Sequence, residues 1–183
     1  MTQTEDAYPT LDLCELQQGL PAITPAFGAA LTEACAICLS EQGHHSGVVL
    51  TVQGDFLNKL PLLYPEVTAQ MRRCWNDREY TTEQAAYGVA LLLIQRLTDF
   101  TVIERSRKGT GFDYWLGNAS SLEEQPFRKT ARLEVSGIRR GNYQQIRSRV
   151  KLKSEQVRPT DNLAPAYIVV IEFSRPLAQV VER

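Results

Sequence analysis

Residues 110–117 read TGFDYWLG, and residues 131–137 read ARLEVSG. In both segments apolar and polar residues alternate with a period of two, which predicts two half-buried strands. The alternation places Asp113 on the polar side of the first strand and Glu134 on the polar side of the second. Because the strands follow each other closely along the chain, we expect the two carboxylates to converge on one face of a sheet.

Paired carboxylates on adjacent strands favour a magnesium site. Mg²⁺ is bound in proteins by one or two carboxylates together with water and phosphate oxygens, and it assists the hydrolysis of phosphodiesters. The alternative is that Asp113 and Glu134 are ordinary outward-facing residues, paired with Arg132 or Arg128 across the sheet. The alternation by itself leaves both interpretations open.

The charge of the chain is distributed unevenly. Residues 101–160 contain thirteen Lys and Arg against six Asp and Glu, a net charge of +7, whereas residues 1–100 carry −7 and residues 161–183 carry −1. The basic segment contains both candidate acids. A phosphodiester substrate would favour this arrangement, because Lys and Arg neutralise backbone phosphates while the acids hold a divalent cation. The alternative is a solvated basic surface without a ligand.

The length of 183 residues and the hydrophobic content of 43% predict one domain, or one domain with an appended subdomain. The longest apolar runs, 89–94 and 168–171, are far shorter than the roughly 20 residues that span a bilayer. Residues 1–6, MTQTED, lack the basic and apolar regions of a signal peptide. These features predict a soluble, cytoplasmic protein with no membrane partner.

All four cysteines lie in the N-terminal half, and Cys35 and Cys38 have the spacing of a zinc knuckle or a redox pair. Both lie in an apolar helical pattern, where free cysteine behaves as a small buried hydrophobic residue. The sequence offers no second closely spaced ligand pair to complete a structural zinc site. We therefore expect the purified protein to contain no stoichiometric zinc.

The first part of the chain, residues 1–80, is predicted to be an N-terminal α/β extension. Its first 24 residues lack a clear periodicity, which predicts an irregular arm. The elements expected after the arm are a helix at 25–42 with Thr24 as its N-cap, a β-branched strand at 45–54 and a helical stretch around 67–75.

The second part, residues 81–183, is predicted to alternate between helices and short strands. The expected elements are a helix that begins at 81–84 with a threonine N-cap and ends near Thr98, a strand at 100–104, the two acid-bearing strands, a helix at 143–156 and a strand at 167–173. The last strand is almost continuously apolar, as is typical of a strand covered on both faces.

This order of elements over 81–183 resembles the core of the PD-(D/E)XK nuclease superfamily, which includes restriction endonuclease-like proteins. The resemblance implies an α/β fold with a restriction endonuclease-like core (helix, three strands, helix, strand), preceded here by the extension at 1–80. Asp113 matches the acid of the family's second strand and Glu134 the acid of its third. Glu83 matches an extra acid that some members carry on the leading helix. The resemblance thus implies Asp113, Glu134 and Glu83 as ligands of Mg²⁺.

The chain departs from the family motif at Ser136, where the family has a lysine. The ammonium of that lysine is thought to orient or activate the attacking water, which a hydroxyl cannot do electrostatically. Some members recruit a basic residue from another element. The candidates here are Lys108, Lys151 and Lys153, of which we take Lys151 as the catalytic lysine beside Asp113 and Glu134.

The resemblance and the basic segment together predict a nuclease-like DNA-processing protein, with Mg²⁺-dependent hydrolysis of phosphodiesters by a degenerate triad. The alternative is a non-catalytic member of the fold that binds nucleic acid or a protein partner, or that serves as a scaffold. The resemblance also implies a homodimer, which would let two copies reach both strands of a duplex. The residues expected to contact nucleic acid are Lys108, Arg139, Arg140, Arg147, Arg149 and Lys153.

Overall fold

The computed structural model describes residues 9–121, 123–124 and 128–183. These residues form a mixed α/β fold on one eight-stranded sheet. The strands are β1 (Leu11–Asp12), β2 (Val48–Gly54), β3 (Asn58–Leu63), β4 (Phe100–Arg105), β5 (Tyr114–Asn118), β6 (Ala131–Ile138), β7 (Ala166–Glu172) and β8 (Leu177–Glu182). The helices are α1 (Pro25–Glu41), α2 (Ala69–Cys74), α3 (Arg78–Leu97) and α4 (Tyr143–Val157), with short 3-10 helices at Leu13–Gln18, Ala119–Ser121 and Arg158–Thr160.

The strands lie side by side in the order β1-β3-β2-β8-β7-β6-β5-β4. β4, β5 and β6 form an antiparallel meander, and α4 then crosses to β7, which lies parallel to β6. A parallel neighbour requires such a crossover, because a tight hairpin joins only antiparallel strands. β8 returns antiparallel to β7, and its other side pairs in parallel with β2. The segment from α3 to β7 therefore has the predicted order of helix, three strands, helix and strand.

Helices cover both faces of the sheet. α1 and α3 pack against each other and α3 packs on β6 and β7, while α4 also packs on β6 and β7. β7 separates the two layers: Tyr167 and Val169 belong to the main core with α1 and α3, whereas Ile168 and Val170 belong to a smaller core with α4. The prediction that the strand at 167–173, observed as β7, is covered on both faces is therefore confirmed.

β6 is buried on both faces, so the prediction of a half-buried strand is wrong here. Leu133 and Val135 face the main core, as the alternation predicts. Arg132, Glu134 and Ser136 on the other face are also buried, with no more than 8% of their surface exposed. They are not open to solvent because α4 lies over this face. Buried polar groups need partners inside the protein, so these side chains are where organised polar contacts are expected.

The starts of the two long helices follow from their caps. Thr24 caps α1, as predicted. α3 begins earlier than expected, at Arg78, because the side chain of Asp77 accepts a hydrogen bond from the N–H of Tyr80 and caps the helix. Both threonines at the expected start, Thr81 and Thr82, are buried inside α3, and Thr81 donates its hydroxyl to the carbonyl oxygen of Asp77.

The N-terminal segment belongs to the same sheet as the rest of the chain, because β2 pairs with β8. The expected irregular arm at 1–24 contains β1 and a 3-10 helix over residues 11–18, and its residues 1–8 lie outside the described part. Cys35 and Cys38 are fully buried in α1, as predicted for small hydrophobic residues. Within the described part, no helix is long and apolar enough to cross a membrane.

Candidate functional site

The candidate site lies where β5 and β6 separate. β5 pairs only with residues 131–133 of β6, and the last bond between them runs from the N–H of Asp113 to the carbonyl oxygen of Leu133, at 2.9 Å. Beyond this point Oδ2 of Asp113 accepts a hydrogen bond from the N–H of Val135 at 2.8 Å. The carboxylate of Asp113 therefore takes the place of a strand partner and lies beside Glu134.

A cleft of about 760 Å³ opens at this point between α3, α4 and the end of β6. Asp113 and Glu134 both line it, so the two predicted acids meet in one site. Glu83 lines the cleft from α3. The basic residues of the cleft are Arg78, Arg139, Arg140, Arg149 and Lys153.

α3 approaches the cleft closely because β6 has a glycine at position 137. A Cβ atom on Gly137 would lie 2.6 Å from the carbonyl oxygen of Thr82, so a larger residue would push the helix away. The approach lets the hydroxyl of Tyr87 donate to Oδ1 of Asp113 at 2.8 Å, and the same hydroxyl lies 3.4 Å from Oε1 of Glu83. Burial and the charge of Asp113 raise the pKa of Tyr87, which keeps its hydroxyl protonated as a donor.

Glu134 is the most unusual group in the cleft. It is 1% exposed, and its Oε1 accepts hydrogen bonds from Nζ of Lys153 at 2.5 Å and from Nε2 of Gln156 at 3.0 Å. Its Oε2 is buried and has no hydrogen-bond partner among the described residues. Burial raises the pKa of Glu134 to about 7, the charge of Asp113 adds to this effect, and Lys153 opposes it.

Asp113 and Glu134 together could hold a magnesium ion, which needs few protein ligands. Over residues 9–121, 123–124 and 128–183, no group of three or more His, Cys, Asp or Glu is arranged to hold a metal. Two carboxylates suffice for Mg²⁺, which keeps several waters and takes further oxygens from phosphate. Glu83, expected as a third ligand, is linked to Asp113 through Tyr87. The unpartnered Oε2 of Glu134 is an oxygen that such an ion would satisfy.

The lysine at the acids is Lys153. α4 turns Ile146 and Val157 into the protein, and Lys153 lies seven residues after Ile146, two turns along the same helix face. Lys151 is exposed and lines a separate depression on the outer face of α4 with Arg147. The structure thus brings Lys153 to Glu134 and leaves Lys151, our choice from the sequence, on the other side of the helix.

Ser136, at the position where the resemblance implies a lysine, interacts with a second cation of α4. Its hydroxyl oxygen accepts a hydrogen bond from Nη1 of Arg149 at 2.8 Å, and the same nitrogen lies 3.5 Å from the carbonyl oxygen of Gly137. Arg149 precedes Lys153 by four residues, so the two cations project from one face of the helix.

The remaining predicted basic residues differ in whether an acid neutralises them and in whether they line the cleft. Arg139 forms an ion pair with Glu41, which neutralises its charge. It also donates a hydrogen bond to the hydroxyl oxygen of Thr82. Arg140 donates to a side-chain amide of the α1 C-cap and is exposed at the rim of the cleft. Lys108 is exposed in the turn between β4 and β5, outside the residues that line the cleft.

The alternative pairing of the acids with Arg132 is not what the structure contains. Arg132 is fully buried and donates to the carbonyl oxygens of Ala164 at 2.8 Å and Val157 at 3.1 Å, and to the side chains of Thr160 and Asp161. Arg132 therefore stabilises the end of α4 and the loop after it, and does not form an ion pair with Glu134.

Two site residues, Tyr87 and Gln156, were missed by the sequence analysis. Gln156 donates to Oε1 of Glu134 and, at 3.2 Å, to the carbonyl oxygen of Gly111. The phase of α4 carries a signal for Gln156, because it lies three residues after Lys153 on the same face. Tyr87 carries no such signal, since it lies among the buried residues of α3 and reads as core.

Comparisons with protein-family models, with curated proteins and with solved structures found no match to this chain.

Proposed function

We propose that this protein is a nuclease-like DNA-processing protein that hydrolyses phosphodiesters with Mg²⁺. The observation that carries the proposal is the burial of the Glu134 carboxylate with one oxygen bound and the other without a partner among the described residues. The carboxylate lies beside Asp113, and Lys153 binds the first oxygen. A cation between the two acids would remove their repulsion and satisfy that oxygen.

The pairing of the strands supports the resemblance to restriction endonuclease-like proteins over residues 81–183. α3 is followed by the β4–β5–β6 meander and by α4, which leads to β7 parallel to β6. In this arrangement Asp113, the residue before β5, lies beside Glu134 of β6. The topology and the acids agree, although the motif lysine is absent at Ser136.

Asp113 and Glu134 would hold the metal, and a bound Mg²⁺ would polarise the phosphoryl group and neutralise its developing charge. The carbonyl oxygen of Val135 faces the same side as its N–H, toward Asp113, and would offer a third oxygen. Lys153 would place a positive charge at Glu134, where it orients the attacking water and stabilises the transition state. Tyr87 and Gln156 would fix the orientations of the two carboxylates.

A cleavage assay with Mg²⁺ or Mn²⁺ on plasmid and on single-stranded DNA tests the proposal. We expect Asp113→Asn, Glu134→Gln and Lys153→Ala each to lower the cleavage rate by about 100-fold or more, the lower end of what positioned acid–base groups contribute. Lys151→Ala is the matched control, because it removes a lysine of the same helix from the outer face and should retain most activity. Cleavage that survives the loss of both acids would remove them from the mechanism.

A second candidate function is non-catalytic binding of nucleic acid or of a protein partner. The ion pair between Lys153 and Glu134 favours it, because the lysine already neutralises the acid that a metal would need. In this case the wild-type protein would bind DNA in a salt-dependent way without cleaving it in either metal. Salt-insensitive association with a protein would instead support a scaffold.

A further inference from the structure

Arg149 differs from the other cations that reach the acids because no acid neutralises it. Lys153 pairs with Glu134 and Arg139 pairs with Glu41, but Arg149 forms no ion pair with any residue in the described part of the chain. It is only partly exposed and lines the cleft. A guanidinium withdrawn from water without a counter-ion is costly, so this position is suited to an anionic ligand.

One edge of this guanidinium is anchored and the other is available. Nη1 donates to the hydroxyl oxygen of Ser136 and lies near the carbonyl oxygen of Gly137. For Nη2 and Nε, no hydrogen bond to a residue of the described ranges is found. Arginine binds phosphate with two parallel donors from one edge, which is the edge that remains here.

The position of this edge relative to the acids is set by two regular spacings. Glu134 and Ser136 are two residues apart on β6 and therefore point to the same face of the strand. Lys153 and Arg149 are four residues apart on α4 and pair with Glu134 and Ser136 in register. At 1.5 Å per residue, Arg149 is therefore about 6 Å, roughly one helical turn, along α4 from Lys153 and its partner Glu134.

The small side chain of Ser136 allows this arrangement. A lysine at this position would place an ammonium against the guanidinium of Arg149, and the like charges would repel. Serine instead supplies an acceptor that orients Arg149. The residue that breaks the family motif is thus the one that positions the unpaired cation.

We propose that Arg149, oriented by Ser136, forms a subsite that binds a phosphate oxygen of a nucleic-acid backbone, one helical turn from the acids. The inference rests on the proposed function, since it names the group that the same cleft holds. Arg78 and Arg140 line the cleft as well and form no ion pair within the described residues, so they are suited to neighbouring phosphates of the same strand.

The test measures binding of a fluorescein-labelled oligonucleotide, single-stranded and duplex, by fluorescence anisotropy with the full chain in EDTA over a series of salt concentrations. Arg149→Gln should weaken binding about tenfold, the cost of one charge-assisted contact, and should reduce the slope of log K against log[salt] by about 0.7 to 0.9. Arg149→Lys should retain the slope and lose part of the affinity, because it keeps the charge and loses the fork.

Ser136→Ala tests the positioning role separately. It should weaken binding by a few fold in the wild-type background and have no effect when combined with Arg149→Gln, because the two residues act as one unit. Arg73→Gln is the control, since it removes an exposed arginine of α2 that does not line the cleft. Thermal unfolding of each variant shows that it is folded.

Affinity and salt slope that are unchanged in Arg149→Gln, or an equal loss in Arg73→Gln, would overturn the inference. Its failure is distinguishable from that of the proposed function. Protein that binds through Arg149 but never cleaves would contradict hydrolysis and leave the subsite in place. If the Arg149→Gln variant cleaves with unchanged KM and kcat, the subsite is contradicted and the proposed hydrolysis remains.

Discussion

Glu134 shows how the surroundings of a single residue set its chemistry. A carboxyl group of this kind ordinarily has a pKa of 4.5, and burial beside Asp113 raises the pKa to about 7 despite the contact with Lys153. Its ionisation therefore depends on the charges around it, as is common for groups at functional sites. Burial of this carboxyl group lowers the free energy of unfolding of the protein at neutral pH.

This cost gives a prediction for Glu134→Gln. Between pH 4.5 and about 7 the unfolded chain has released the proton that the folded protein retains, so the free energy of unfolding of the wild type falls as the pH rises and then levels off. The glutamine variant does not titrate at this position. In EDTA its stability relative to wild type should therefore increase from pH 5 to pH 8, by at most about 3 kcal/mol at about 1.4 kcal/mol per pKa unit.

Urea unfolding at the two pH values measures this difference. Glu83→Gln is the control, because Glu83 is an exposed carboxylate of the same cleft whose removal should change stability by less than about 0.5 kcal/mol. A wild type and a Glu134→Gln variant whose stabilities change in parallel with pH would show that Glu134 is not a strained, buried acid.

The residue level also shows what the sequence could and could not predict about the site. Asp113 and Glu134 were found because alternation with a period of two is visible in a short segment. The choice among three lysines depended on the phase of α4, and the apolar positions Ile146 and Val157 fix that phase well enough to favour Lys153 over Lys151. The hydrogen bond from Tyr87 depends on how closely α3 approaches β6, which no local pattern reveals.

At the level of elements, α4 is the part that supplies the site with cations, and Arg132 holds the end of α4 in place. Arg132 extends from β6 and binds the last residue of α4, Val157, as well as the loop that follows, at Thr160 and Ala164. One buried side chain thus connects the strand that carries Glu134 to the helix that carries Lys153.

We expect Arg132→Met to lower the free energy of unfolding by about 3 kcal/mol. The methionine fills much of the space, but it removes the guanidinium that donates to the carbonyl oxygens of Val157 and Ala164 and to the side chains of Thr160 and Asp161. Urea unfolding at pH 7 gives the value. Arg147→Met, on the exposed face of α4, should change it by no more than about 0.5 kcal/mol. Equal, small effects of the two substitutions would mean that Arg132 does not anchor the helix.

The helices and strands that the sequence predicted differ from those that were missed in the strength of their local patterns. Strong periodicity predicted β6, α4 and β7 close to their observed bounds. β3 was missed because Pro61 interrupts it, and a proline argues against a central strand; here the outer neighbour, β1, pairs only with residues 62–63. β8 was missed because its six residues, LAQVVE, mix apolar and polar side chains without a clear period.

At the scale of the whole molecule, the two sequence segments at 1–80 and 81–183 share one sheet and one core. β2 pairs with β8 over four residues, and α1 packs tightly on α3, where a Cβ atom on Gly88 would lie 2.6 Å from Sγ of Cys35. The buried face of α3 is therefore covered by an element from the first segment. Pairings between residues this far apart in the chain are not visible in local patterns, which is why the sequence suggested an extension.

This sharing predicts that residues 81–183 do not fold alone. Removing residues 1–80 exposes the apolar face of α3, including Ala85 and Leu92, and leaves β8 as an open edge, which favours aggregation. We expect the isolated segment to show no cooperative thermal transition by circular dichroism, and co-expression with residues 1–80 to restore a soluble complex that unfolds cooperatively. The full chain is the reference for both measurements. A cooperative transition of the isolated segment, with a stability near that of the full chain, would show that 81–183 is an independent domain and that the shared sheet contributes little to its stability.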